Sequence, residues 1–175
     1  MNGLTHAAGG VVAGCLLIGA AGTNEPLGWL MAASAAGALI PDIDTPHSRI
    51  QKYIPGAGAV VGHTLRHRGV THSLAFTAAM YVLLTYTLPV PGVYIKAFAA
   101  GIISHLLLDS LNPMGVPWLW PLPGRFGIPL VSSSGLLEKL VIMPGMMAAA
   151  LYMLWQFAKG GGSLCAHFMR VLSLF

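Results

Sequence analysis

The chain has 175 residues, of which 55% are hydrophobic and only 8% are charged, whereas soluble domains usually carry about 25% charged residues. This composition excludes water as the main solvent of the folded chain. The formal net charge of +4 comes from few, scattered basic residues. It therefore favours contact with anionic lipid and argues against nucleic acid as a partner. The two cysteines do not form a disulfide framework.

Apolar segments in chain order predict an all-α, polytopic transmembrane bundle of about five helices. A spanning helix needs roughly 20 residues, and the second segment is short for a span. Gly10 and Gly14 in the first segment permit close helix packing. We expect one membrane-embedded domain over residues 1–158, followed by a flexible glycine hinge and a short interfacial tail at 159–175. The five segments are 4–22, 27–40, 72–88, 93–111 and 136–157.

Two long connections, 41–71 and 112–135, are expected to be polar and to lie on one side of the membrane, together with the amino terminus. Lysine and arginine are more frequent on that side, which predicts that it faces the cytoplasm of a bacterial inner membrane. The basic residues on that side are Arg49, Lys52, Arg66, Arg68, Arg125 and Lys139, and those on the other side are Lys96, Lys159 and Arg170.

Carboxylates and imidazoles gather at the same predicted membrane face. Ionisable groups at the margin of a bilayer are costly unless they are paired, solvated or bound to a cation, so the cluster indicates a functional site. The plainer alternative is that helix ends simply tolerate charge. The residues concerned are His6, Asp42, Asp44, His67, His72, His105, Asp109 and Glu138.

The spacing of these residues suits metal ligands. His105 and Asp109 are four apart and share one helix face, and Asp42 and Asp44 follow Pro41, which ends a helix. Each pattern is weak alone, because an imidazole bonded to an aspartate or a simple turn would look the same. Mixed nitrogen and oxygen donors favour zinc, with manganese or iron as alternatives. One ion with supporting residues, or two ions, both fit.

A divalent ion lowers the pKa of its bound water, which makes hydrolysis the natural reaction class. Arg68 is expected to clamp a phosphate, unless it only anchors lipid headgroups. Glu138 is a candidate ligand or general base, or it merely complements a helix dipole. His72 is expected to act in both binding and catalysis, and Thr71 is the expected N-cap of the third helix.

Four motifs together resemble the YdjM-like family over roughly residues 4–145. They are Leu4-Thr5-His6, Ile40-Pro41-Asp42-Ile43-Asp44, His67-Arg68-Gly69-Val70-Thr71-His72-Ser73, and His105-Leu-Leu-Leu-Asp109 with Ser110-Leu111-Asn112-Pro113. Members of that family are described as LexA-regulated, membrane-bound, predicted metal-dependent hydrolases. The resemblance implies metal-site roles for the matching histidines and aspartates, with Glu138 in a later Gly135-x-x-Glu138 segment and Asn112 beside the same site.

The expected function is a metal-dependent hydrolase that acts on a phosphate or acyl ester of a lipid-like substrate at the cytoplasmic face. In this scheme His6, Asp42, Asp44, His67, His72, His105 and Asp109 hold the ion or ions. A divalent-cation transporter or channel is one alternative, although the centres of the apolar segments are nearly free of ionisable groups. A non-catalytic membrane protein with a structural metal site is another. The sequence does not indicate an oligomeric state.

Overall fold

A computed structural model describes residues 1–21, 23, 25–44, 69–133 and 135–159. Within these ranges the regular secondary structure is helical, and β-pairing is limited to an isolated bridge between Val116 and Phe126. This confirms the all-α class. The helices are α1 (Gly3–Ala21), α2 (Leu27–Leu39), α3 (Leu74–Thr87), α4 (Gly92–Ser110) and α5 (Met143–Ala158).

Short irregular turns stand beside three of these helices. The 3-10 turn Pro41–Asp44 follows α2, and the 3-10 turn Val70–His72 precedes α3. A π-helical turn, Glu138–Ile142, leads directly into α5. Pro41 cannot supply the N–H that would continue α2. The hydroxyl of Ser73 accepts a hydrogen bond from Phe76 N at 3.1 Å and caps α3. The expectation that Thr71 is this cap is wrong, because Thr71 lies within the preceding 3-10 turn.

Small residues bring α2 close to both α1 and α4. The hydroxyl of Ser34 donates a 2.6 Å hydrogen bond to the carbonyl of Gly10. A methyl group on Gly14 would lie 2.9 Å from the Ser34 side chain, and one on Gly101 would overlap the Ser34 carbonyl. The close approach expected at Gly10 and Gly14 is therefore confirmed. α5 packs on α1, and α3 packs on α4.

Two helical segments of the described chain have the length and composition to cross a membrane. They are α4, with 19 residues, and the continuous helix Glu138–Ala158, with 21 residues. α2 and α3 have 13 and 14 residues, so each reaches only about 20 Å at 1.5 Å per residue, against a hydrocarbon core of about 30 Å. The described residues form the expected five helices, and α1, with 19 residues, is as long as α4.

The connection between α4 and α5 differs from expectation. It was expected to be polar, but its described part exposes mainly apolar side chains, among them Leu119, Leu122 and Phe126. The connection at 45–68 and the tail at 160–175, including its expected hinge, lie outside the described residues.

Candidate metal centre

Five side chains from four segments meet at one end of the bundle. His6 lies in the first turn of α1, Asp42 in the turn after α2, His72 in the turn before α3, and His105 and Asp109 in the last turns of α4. They form two groups whose possible ligand atoms all lie within 4.8 Å of one another: His6, Asp42 and His105, and His72, His105 and Asp109. The fold therefore gathers these residues from distant parts of the chain.

Most imidazole–carboxylate distances in the cluster are too long for ordinary hydrogen bonds. His72 Nε2 lies 3.7 Å from Asp109 Oδ2 and 4.0 Å from Asp42 Oδ1, and His105 Nε2 lies 3.7 Å from Asp42 Oδ1 and 3.8 Å from Asp109 Oδ2. Hydrogen bonds from N–H groups to oxygen are typically 2.7–3.2 Å long. The imidazole nitrogens and carboxylate oxygens thus lie around a common space.

His105 is oriented by a backbone carbonyl. Its Nδ1 lies 2.7 Å from the carbonyl oxygen of Ala38, and a carbonyl can only accept, so Nδ1 carries the proton. The last four carbonyls of a helix have no partner within it, and α2 ends at Leu39. Consequently Nε2 of His105 holds a lone pair that faces the cluster. A ring N–H bonded to a carbonyl is the usual support of a metal-ligating histidine.

His72 and His105 bring their Nε2 atoms to 3.2 Å from each other. Two nitrogens that are each 2.0–2.1 Å from one tetrahedral zinc ion are about 3.3–3.4 Å apart. His72 Nδ1 lies 3.0 Å from the Thr71 hydroxyl. When that hydroxyl accepts from Nδ1–H, His72 Nε2 also presents a lone pair, and a cation held by both nitrogens would relieve the repulsion between them. In the other tautomer, His72 Nε2–H donates to His105 instead.

His6 provides an independent indication of a missing partner. Its ring stacks on that of His105 with centroids 3.7 Å apart. Both ring nitrogens are buried and make no hydrogen bond within the described chain, although Nε2 lies 3.3 Å from Asp109 Oδ1. Buried polar atoms almost always have a partner. A cation coordinated by His6 would supply one, so the residues present fit a metal ion.

His105 belongs to both three-residue groups, and this membership limits how many ions the cluster could hold. Its Nδ1 is engaged by Ala38, so only Nε2 can bind a metal, and it can bind one ion at a time. Because both three-residue groups include His105, they describe alternative ligand sets around one ion. The described residues favour one ion with supporting residues over two equivalent ions.

The residues of the cluster differ in how far their side chains are exposed. The side chains of His6, His72 and His105 are 0% exposed and that of Asp109 is 1% exposed, whereas Asp42 is 22% exposed. The Met1 amino group donates a 2.9 Å hydrogen bond to Asp109 Oδ1. Asp42 is therefore the least buried member of the cluster, and Asp109 is bonded to a positively charged group.

Glu138 and Asn112 are held by other contacts. Glu138 is buried and accepts hydrogen bonds at Oε1 from Asn2 N and from the Thr5 hydroxyl, the latter at 3.4 Å. It fastens the start of the last helix to the first turn of α1, next to His6. The Asn112 amide donates to Ser133 Oγ at 2.6 Å, and its carbonyl oxygen accepts from Met114 N. Asn112 therefore orders the following loop.

Some expected site residues cannot be placed. His67 and Arg68 lie outside the described residues, as does the side chain of Asp44. Conversely, two supporting groups were not expected from the sequence: the carbonyl of Ala38 and the hydroxyl of Thr71 as a partner of His72. No side-chain motif could indicate the carbonyl, because it is a backbone group.

Comparison with known proteins decides the family. The family model described as "YdjM inner membrane protein" matches residues 1–172. The chain belongs to the YdjM family of inner membrane proteins. This YdjM-family chain is 33% identical to the uncharacterized protein YvsG of Bacillus subtilis (strain 168) over 161 residues, which cover 91% of the chain and 98% of YvsG.

Two further relatives come from Escherichia coli (strain K12). The inner membrane protein YdjM is 38% identical over 113 residues, which are 60% of this chain and 57% of that protein. The inner membrane protein YbcI is 33% identical over 99 residues, which are 48% of this chain and 49% of YbcI. No solved structure matches the chain. Family membership and the two span-length helices together assign the protein to a membrane.

Proposed function

We propose that the chain is a metal-dependent hydrolase of the bacterial inner membrane that cleaves a phosphate or acyl ester of a lipid-like substrate. The observation that carries the proposal is the five-residue cluster, in which His6 is buried with both ring nitrogens lacking a hydrogen-bond partner in the described chain. Mixed imidazole and carboxylate donors suit zinc first, then manganese or iron.

The bound ion would act as a Lewis acid that polarises a phosphoryl or carbonyl oxygen. The protein's own residues prepare the site for it. Ala38 fixes the tautomer of His105, Thr71 contacts His72, and the Met1 amino group donates a hydrogen bond to Asp109. The partial exposure of Asp42 provides the side from which an ester group would approach.

The position of the cluster supports a lipid-like substrate. The ligands lie at the ends of apolar helices, where the headgroups of a bilayer would be. In the proposed multi-pass topology, the excess of lysine and arginine orients this end towards the cytoplasm. Arg68 stays a predicted anion-binding residue and Glu138 a predicted supporter of catalysis. LexA control of expression likewise stays a prediction from the resemblance.

Isosteric substitutions test the proposal. Asp109→Asn removes a cluster carboxylate, whereas Glu25→Gln makes the same chemical change near the start of α4, where Glu25 accepts a 2.9 Å hydrogen bond from Tyr94. We expect the native protein and Glu25→Gln, reconstituted in lipid nanodiscs, to contain near-stoichiometric zinc, manganese or iron by elemental analysis. Both should hydrolyse a phospholipid or phosphomonoester from a substrate panel, and Asp109→Asn should lose both properties.

The outcomes separate the proposal from its alternatives. Metal that is retained without turnover of any ester would favour a structural site, which the near-complete burial of four cluster residues also suits. Metal-dependent cation flux into vesicles without hydrolysis would favour a transporter. Native protein that binds no metal after supplementation would overturn the metal centre itself.

A further inference from the structure

The connection from α4 to α5, here called the α4–α5 loop (residues 111–133), has a defined fold of its own. Val116 and Phe126 exchange two backbone hydrogen bonds of 2.8 and 3.0 Å. Gly115 has a φ of +63°, a backbone conformation that favours glycine. A methyl group on Gly127 would lie only 2.6 Å from the Cα of Gly115. The two segments of the loop around Gly115 and Gly127 are therefore in close backbone contact.

The α4–α5 loop is also fastened to the helices that carry the metal cluster. Trp118 Nε1 donates to the hydroxyl of Ser110 at 2.8 Å, one residue beyond Asp109. The Trp118 carbonyl accepts from Leu74 N at 2.9 Å, at the start of α3 and two residues beyond His72. Ile128 N donates to the Ser110 carbonyl at 2.7 Å. These hydrogen bonds hold the loop at the end of the bundle where the cluster lies.

The outer surface of this loop is apolar. Leu119, Leu122 and Leu130 are 60–64% exposed, and Met114, Trp120, Phe126 and Ile128 are also exposed. In residues 111–133 the only charged side chain is that of Arg125. Single exposed apolar residues are common on protein surfaces, but a patch of this kind marks a surface that contacts a membrane or a protein.

The position of the loop between two candidate spans favours the membrane as its partner. The loop joins the two segments that are long and apolar enough to span, α4 and Glu138–Ala158, so its ends lie at a membrane face. The exposed apolar surface continues directly into Leu136, Leu137 and Leu140 at the start of the last helix. Tryptophan is enriched at the interface between lipid and water, and arginine extends its charge from there into the headgroups.

We propose that the α4–α5 loop inserts its exposed apolar side chains at the boundary between headgroups and acyl chains, and so holds the metal cluster at headgroup depth. The partner is the lipid bilayer itself. This inference does not depend on hydrolase activity, because it concerns only the depth of the loop. It extends the proposed function by supplying a structural reason for a substrate that stays in the membrane.

Spin labelling tests the depth of the loop. In a Cys15→Ala, Cys165→Ser background, a nitroxide would be attached to Leu122→Cys or Leu119→Cys, and the protein reconstituted in phosphatidylethanolamine and phosphatidylglycerol vesicles. Ser132→Cys is the matched control, because Ser132 is an exposed polar residue of the same loop. We expect the ratio of oxygen to nickel-chelate accessibility to be several-fold higher at residues 119 and 122 than at residue 132.

Other results would overturn the inference. Equal nickel accessibility at 122 and 132 would place the loop in water. Exclusion of both oxygen and nickel, with dipolar broadening between labels, would show that a second copy of the chain covers the patch. The same exclusion without broadening would show that another part of this chain covers it. Elemental analysis of the labelled proteins checks that the cluster is intact, since none of these positions contacts it.

Discussion

Replacement of Gly101 by alanine should weaken metal binding although Gly101 is not a ligand. A methyl group there would overlap the Ser34 carbonyl and lie 2.8 Å from the backbone nitrogen of Ala38. An ordinary contact begins at 3.4 Å, so α2 and α4 must separate by at least 0.6 Å at Ala38. One turn further along α4, the 2.7 Å bond from His105 to the Ala38 carbonyl would then lengthen to about 3.3 Å or more, beyond the usual hydrogen-bond range.

The size of the effect follows from the role of that hydrogen bond. Loss of a group that orients a metal-ligating histidine typically lowers metal affinity by about 10- to 100-fold, which corresponds to about 1.4–2.7 kcal/mol. We expect Gly101→Ala to raise the dissociation constant for zinc by this factor. Competitive titration against a zinc indicator in detergent would measure it, with circular dichroism to verify the helical content.

Gly145→Ala is the matched control. Gly145 lies within α5, and a methyl group added there would meet nothing within 4 Å. This variant should bind zinc as the native protein does. If Gly101→Ala folds normally and retains native affinity, the reasoning that links helix separation to the orientation of His105 is refuted.

Two further substitutions test supporting hydrogen bonds. Thr71→Val removes the hydroxyl that lies 3.0 Å from His72 Nδ1, and it should lower zinc affinity about tenfold. The control Thr77→Val removes a hydroxyl bonded to the Ser73 carbonyl and should leave zinc affinity unchanged. Equal zinc affinities in the two variants would contradict this role of Thr71. Ser34→Ala removes the bond to Gly10 and should lower stability by about 0.6–1.7 kcal/mol, seen as a lower melting temperature in detergent. A melting temperature equal to that of the native protein would contradict this contribution.

Helix positions followed from the sequence where apolar runs end at prolines. The segment predicted at 27–40 is observed as Leu27–Leu39, and that at 93–111 as Gly92–Ser110. Convergence of His6, Asp42, His105 and Asp109 could be predicted from helix direction alone. The sequence showed that the second segment is short for a span. It did not reveal that α3 is also too short to reach across a bilayer, because apolar composition does not show where a 3-10 turn replaces the helix.

The less predictable features depend on tertiary contacts. Hydropathy segments cannot show that Gly101 approaches Ser34, or that the carbonyl of Ala38 is available to His105. The α4–α5 loop was expected to be polar. Only the folded loop, with its paired backbone, shows that its leucines face outward.

The four-segment origin of the cluster also sets an order for its assembly during synthesis. A ribosome releases His6 first and Asp109 only after α1, α2, α3 and almost all of α4 have been made. Until then the imidazole of His6 lacks the carboxylate that lies 3.3 Å away in the folded chain. The five-residue cluster is therefore complete only after α4 has been made, and a metal ion that needs all five side chains would be captured late, after insertion of α4.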